Sequence, residues 1–224
     1  MKLAIASGFL LGMLHGATVP VAADPIQSSE GPLRPRSHAA MGCMMLRECV
    51  DGVREVKDWG DFGPGYLQFK DELNDILQYA NASGIRVFLA PDKYFYMMTR
   101  GLYSVQGNNF FLNERYLDNP TMMVKVVRHE GWHAVQDCMA GTLDNTFTAV
   151  VWQDGFVPDW IQRGAEKTYP PSAVPYEAEA MYAAFSDTYT REGLQACASD
   201  TPMWEVYKPT PLTAKWLKEQ KFMF

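Results

Sequence analysis

The run Val126-Val127-Arg128-His129-Glu130-Gly131-Trp132-His133-Ala134-Val135 constrains the fold more than any other part of the chain. Residues four apart share one face of a helix, so His129 and His133 stand a turn apart on the same side. Val126, Val127, Ala134 and Val135 supply an apolar back, and Gly131 and Trp132 between the imidazoles carry no charge. Such a segment needs a core behind it and a polar cluster in front. Asn119-Pro120 is expected to start the helix and Thr121 to Met139 to form its body.

Two neutral ring nitrogens converging on one point, with a carboxylate between them that can reach a water held there, form the His-Glu-x-x-His arrangement of a zinc site. The chain has 4 His. His15 lies in a segment expected to be removed, which leaves His38, His129 and His133. A catalytic zinc takes three protein ligands and keeps a fourth position open, so the third ligand is expected to be a carboxylate. The Ala-rich run from Pro175 to Phe185 reads as a helix beginning near Pro175, with Glu177 and Glu179 in its first turn. Two steps of 100° cannot put both on one face. Glu177 is preferred, because the small Ala180 and Ala184 continue its face and permit close approach to the His helix. Glu179 and Asp144 remain rivals. Asp144 sits in Gly141-Thr142-Leu143-Asp144, which reads equally as a turn closing the His helix. Asp137, four residues after His133, is a candidate for orienting a ligand, or a solvent-facing carboxylate. Tyr169, Tyr176 and Tyr182 lie near the second helix and could donate a phenolic hydrogen bond. With 11 Tyr in the chain, none is singled out as catalytic.

His-Glu-Gly-Trp-His-Ala-Val-Gln followed by Glu-Ala-Glu-Ala resembles the gluzincin group of zinc metallopeptidases, in which a second helix delivers a Glu as third ligand. The resemblance covers these two helices. It implies Zn2+ held by His129, His133 and Glu177, with Glu130 as general base for hydrolysis of peptide bonds by a metal-activated water. It also implies a zincin-like fold in which Asn108 to Asn113, as an edge strand, binds extended substrate by strand addition. A core strand with a covered edge is the alternative. Thermolysin-like members carry an Asp where this chain has Met181, so support for the zinc-binding His must come from elsewhere. Gln136 and Met139 stand where the metzincin pattern needs Gly and His. Half of the aspzincin Gly-Thr-x-Asp-x-x-Tyr-Gly pattern is present around Asp144, without its Tyr-Gly end.

Lys2, the apolar stretch Leu3 to Leu14 and the small residues Val21-Ala22-Ala23 read as a secretory signal peptide over residues 1–23. Residues 24–40 are expected to be a flexible linker and 41–224 a single domain. Export to a periplasmic or extracellular compartment suits the 4 Cys, an even number able to form two disulfides. Three pairings are open. Cys138 reads as a staple between the His helix and another element, with the segment around Cys197 the first choice. A net charge of −6 without a Lys/Arg cluster argues against nucleic acid as partner, and no stable membrane insertion is expected after signal cleavage. The expected partner is a peptide or protein substrate.

Helix-like patterns cover Met41 to Lys57, Tyr66 to Ala82 ending at Gly84, and Leu212 to Phe222. Ile85 to Ala90, Tyr94 to Met98 and Leu102 to Val105 read as strands, and Val150 to Pro175 as loops and short helices. Within the last stretch, Phe156 to Trp160 could shape a substrate pocket or close the core. A few strands followed by helices make the fold α+β, predominantly helical, with a small, mainly antiparallel sheet before the His helix. Two other functions fit the same motifs: a zinc-dependent amidase acting on a non-peptide or cell-wall substrate, and an inactive zincin-fold binding module. The intact Glu130 weighs against the second.

Overall fold

The computed structural model describes residues 34–143 and 147–223. The expected signal peptide and Asp144 lie outside the described residues. The three longer strands are buried almost along their whole length because both faces of their sheet are covered. β1 (Arg54–Glu55), β2 (Arg86–Ala90), β3 (Gly101–Ser104) and β4 (Asn109–Asn113) form one sheet in the order β1-β2-β4-β3. β2 and β4 run parallel, with Arg86 opposite Asn109 and Ala90 opposite Asn113, and the outer pairs are antiparallel. Side chains alternate between faces along each strand. Val87, Leu89, Tyr103, Phe110 and Leu112 join the main core. Phe88, Ala90, Leu102 and Phe111 meet Met41, Met44 and Met45 of α1 (His38–Met45) on the other side.

This order corrects the expectation that Asn108 to Asn113 is an edge strand. β4 lies between β2 and β3, so its backbone groups are engaged on both sides. The strand at that end of the sheet is β3, and all four of its residues are buried. Tyr94 to Met98 is not a strand either. A 3-10 turn over Asp92–Tyr94 is followed by a bend in which Met97 has φ +47° and the Thr99 amide bonds the Tyr96 carbonyl.

The first helix begins at His38, inside the stretch expected to be linker, where Ser37 accepts a hydrogen bond from the Ala40 amide. It is shorter than the expected Met41 to Lys57. Arg47 turns left-handed at φ +62° and the Cys43–Cys49 disulfide closes the corner. α2 (Lys70–Ala82) follows a 3-10 segment, Pro64–Phe69, and stops before Gly84, whose φ of +81° suits a helix C-terminus.

α3 (Pro120–Met139) is capped by the Asn119 side chain, which accepts from the Met122 amide, and Pro120 occupies the first turn, where its missing N–H costs nothing. From Glu130 to Met139 every residue is buried, so this half of the helix is enclosed on all sides. α4 (Asp159–Thr168), α5 (Val174–Ala183), α6 (Tyr189–Cys197), α7 (Met203–Val206) and α8 (Pro211–Glu219) complete the chain. α6 crosses α3 at very short range because both carry glycine at the contact. A Cβ on Gly131 would lie 2.6 Å from Thr190 Cγ2, and one on Gly193 would lie 2.7 Å from Val135 Cγ2. The Cys138–Cys197 disulfide, the pairing first expected, ties the same two helices. Its 59-residue separation corresponds to about 4 kcal/mol of lost unfolded-state entropy. Among the described residues, no helix is long and apolar enough to cross a membrane.

Candidate metal centre

The i, i+4 spacing places the rings of His129 and His133 edge to face, with centroids 4.9 Å apart. α5 brings Glu177 against them. Its Oε2 stands 3.3 Å from His129 Nε2 and 3.6 Å from His133 Nε2. The ligand atoms of the three residues lie within 4.8 Å of one another, a group that could hold a metal ion. His133 and Glu177 are each 1% exposed at the side chain, while His129 is 14% exposed and opens the cluster to a cleft. Neither His133 Nε2 nor Glu177 Oε2 has a hydrogen-bond partner. Buried polar atoms are ordinarily paired, so two such atoms aimed at one point fit a cation between them.

The electrostatics favour positive charge at the same place. Burial would lower the His133 imidazole, but Glu177 and then Glu130 push it up to about 9. Burial would raise the Glu177 carboxyl, but His133 and His129 hold it well below the usual carboxylate range. His129 itself is lowered, chiefly by burial, with Glu177 opposing. The carboxylates that attract a proton here would attract a metal by the same field.

His133 is oriented from behind. Its Nδ1 lies 2.8 Å from Gln136 Oε1, and the Gln136 amide donates to Glu179 Oε2 at 2.8 Å and to the Tyr176 carbonyl at 3.0 Å. With its NH2 engaged twice, Gln136 presents oxygen to the ring. His133 therefore donates from Nδ1, which directs Nε2 into the cluster. Glu179, the rival ligand, faces away from the imidazoles. It accepts from Trp132 Nε1, Gln136 Nε2 and the amides of Val151 and Trp152. Burial pushes its carboxyl up to about 7, against those four donors. Asp137 does not orient a ligand from the position expected of it and does not face solvent: it is fully buried and accepts from Tyr103 of β3 at 2.8 Å. His38 stacks on Tyr96, apart from the cluster.

Glu130 is 2% exposed and lines the cleft beside His129. It is accommodated by a missing side chain: a Cβ on Gly101 would stand 2.8 Å from Glu130 Cγ and 2.6 Å from Val126 Cγ1. Arg128, the charged residue next to the first His, is held away from the cluster by Glu72 through Nε–Oε1 at 2.5 Å and Nη2–Oε2 at 2.8 Å. Of the three tyrosines near α5, only Tyr169 reaches the cluster, where its phenol hydrogen-bonds Glu177. Burial and the charges of Glu177 and Glu130 raise the phenol far above its ordinary value, so it remains a donor. Tyr182 packs instead, edge-on or tilted, in an aromatic group with Trp152, Phe156 and Tyr189. Phe156 and Trp160 do not line the cleft.

The cleft measures about 680 Å³ and is bounded by the segment 97–101, the first half of α3, and residues of α4 and α5. The roles of Gln136 and Gly101 do not emerge from sequence, and Tyr169 stands there only as one of three possible phenolic donors. A Gln three residues beyond a ligand His, facing a helix with a second Glu two residues from the ligand Glu, is the signal that could have found the first. Comparison with protein-family models, with curated proteins and with solved structures finds no match for this chain.

Proposed function

We propose that this protein is a zinc-dependent peptidase of the gluzincin type, working in an oxidising compartment outside the cytosol. The observation that carries this reading is the meeting of His129, His133 and Glu177 beside an open cleft that His129 and Glu130 line. Two imidazoles and one carboxylate are a donor set that suits Zn2+. When bound there, zinc would supply acidity to water and polarise a substrate carbonyl.

The remaining chemistry falls to the chain. Glu130, between the ligands in sequence and open to the cleft, takes the proton of the attacking water and returns it to the leaving amine. Tyr169 keeps its proton in this environment and offers its O–H to the oxygen on which negative charge develops. Gln136 and Glu179 hold the His133 tautomer while the proton moves. Two disulfides among the described residues accord with an exported protein.

Replacing Glu130 by Gln should leave metal binding intact and lower peptide hydrolysis by at least about 100-fold. Chelation should abolish hydrolysis and added zinc restore it. Undiminished turnover by Glu130→Gln, or by metal-free protein, would contradict the assignment.

A further inference from the structure

The cleft that serves the cluster has an unusual lining for an acidic protein. Four methionines, Met97, Met98, Met122 and Met181, stand among its lining residues. Met97 and Met98 are 62% and 65% exposed. Methionine is flexible and polarisable, so such a lining adapts to large apolar side chains of differing shape instead of fitting one. The apolar surface continues past the cleft, where exposed Phe185 meets exposed Trp160 with ring centroids 5.5 Å apart.

Two cations stand at this lining, Arg100 and Lys125. Among the described residues, neither forms an ion pair with a carboxylate, although the chain carries 26 acidic residues against 20 basic. Lys125 is held over the Phe185 ring at 5.0 Å, and Arg100 lies 5.7 Å from the Tyr116 ring. Lys125 precedes His129 by four residues and shares its helix face, just over one turn or about 6 Å along α3. An extended peptide advances about 3.3 Å per residue, so the ammonium falls within reach of a side chain one or two positions from a bond held at the cluster.

We infer that the cleft selects extended peptide segments in which a large apolar residue is flanked by an acidic one, with Lys125 as the specificity-determining residue for the acid and Arg100 as a second, weaker contact. This rests on the peptidase reading of the same site. The methionine lining takes the apolar side chain, and the unpaired ammonium gains the carboxylate partner it lacks in the free protein.

The test uses three fluorescent peptides that share a central Leu and differ only in carrying Glu, Gln or Lys beside it. Hydrolysis by the zinc-loaded protein should favour the Glu peptide over the Lys peptide by roughly five- to tenfold in kcat/KM, with Gln between them. Binding of the same peptides to zinc-loaded Glu130→Gln, read by fluorescence anisotropy, should follow the same order. Lys125→Glu should erase or invert the order, Lys125→Arg should keep it, and Arg100→Glu should weaken it by a smaller factor. Raising the ionic strength should shrink the preference. Equal use of the three peptides, or an unchanged order in Lys125→Glu, overturns the inference while leaving the peptidase reading in place. Binding in the expected order without cleavage of any peptide would contradict the peptidase reading and uphold the charge preference.

Discussion

Glu177 and Glu179 sit two residues apart on α5, both almost fully buried, in opposite surroundings. Glu179 meets four N–H donors that join α3, α5 and the loop at Val151-Trp152. Glu177 meets two imidazoles across gaps of 3.3 and 3.6 Å and leaves an oxygen without a hydrogen bond. The first carboxylate is complete within the fold. The second keeps an oxygen facing a gap that a cation could fill. A helix can therefore carry two acidic residues in opposite surroundings within its first turn, because a 200° rotation separates them.

The sharpest way to break the comparison is at the satisfied carboxylate. Glu179→Ala would strand four donors in the interior, and at about 1–3 kcal/mol for each unsatisfied group the loss of stability should exceed about 3 kcal/mol. Urea denaturation of metal-free protein reads this directly. A change below about 1 kcal/mol would mean that the donors find water instead. Next in size is Gln136→Leu, which removes the link between the two sides. Zinc affinity should fall roughly 10- to 100-fold as His133 loses the partner that fixes its tautomer. Competition against a chromogenic chelator measures it, and an unchanged affinity would show that the ring is oriented by packing alone. The smallest expected effect lies on the back of α3, away from both carboxylates. Gly193→Ala must push Val135 aside and should cost about 1 kcal/mol or somewhat more in thermal unfolding, with zinc affinity nearly unchanged. A large loss of metal in that variant would couple the α6 contact to the site.

How far this arrangement was legible depends on the range of the interactions involved. The His pair, the limits of α3 and the choice of Glu177 over Glu179 follow from helical periodicity and from proline and alanine placement, all local. Cys197 is the first choice as partner of Cys138, but local pattern leaves three pairings open. The position of β4 inside the sheet was not legible, since strand order depends on long-range pairing and a strand apolar on both faces reads alike at an edge or in the middle. Tyr94 to Met98 has strand-like residues but makes a turn, because the bend after Pro91 and the left-handed Met97 override side-chain preference. Asp137 and Gln136 differ by one residue on α3 and therefore by 100° in direction. Only the packing of α5 on one side and β3 on the other decides that Gln136 reaches His133 while Asp137 reaches Tyr103. α6, absent from the sequence expectations, owes its place to Gly131 and Gly193, whose meaning appears only when the two helices are brought together.

Metal analysis of the purified protein beside Glu177→Ala and Glu179→Ala bears most directly on the cluster. The wild type should take up about one zinc per chain. Glu177→Ala should lose it under the same conditions. Folded Glu179→Ala, if enough is recovered, should retain a measurable share. A wild type that binds no zinc when it is supplied in excess, or a Glu177→Ala variant that holds zinc as tightly as the wild type, would contradict the central claim that these two helices close around a metal ion.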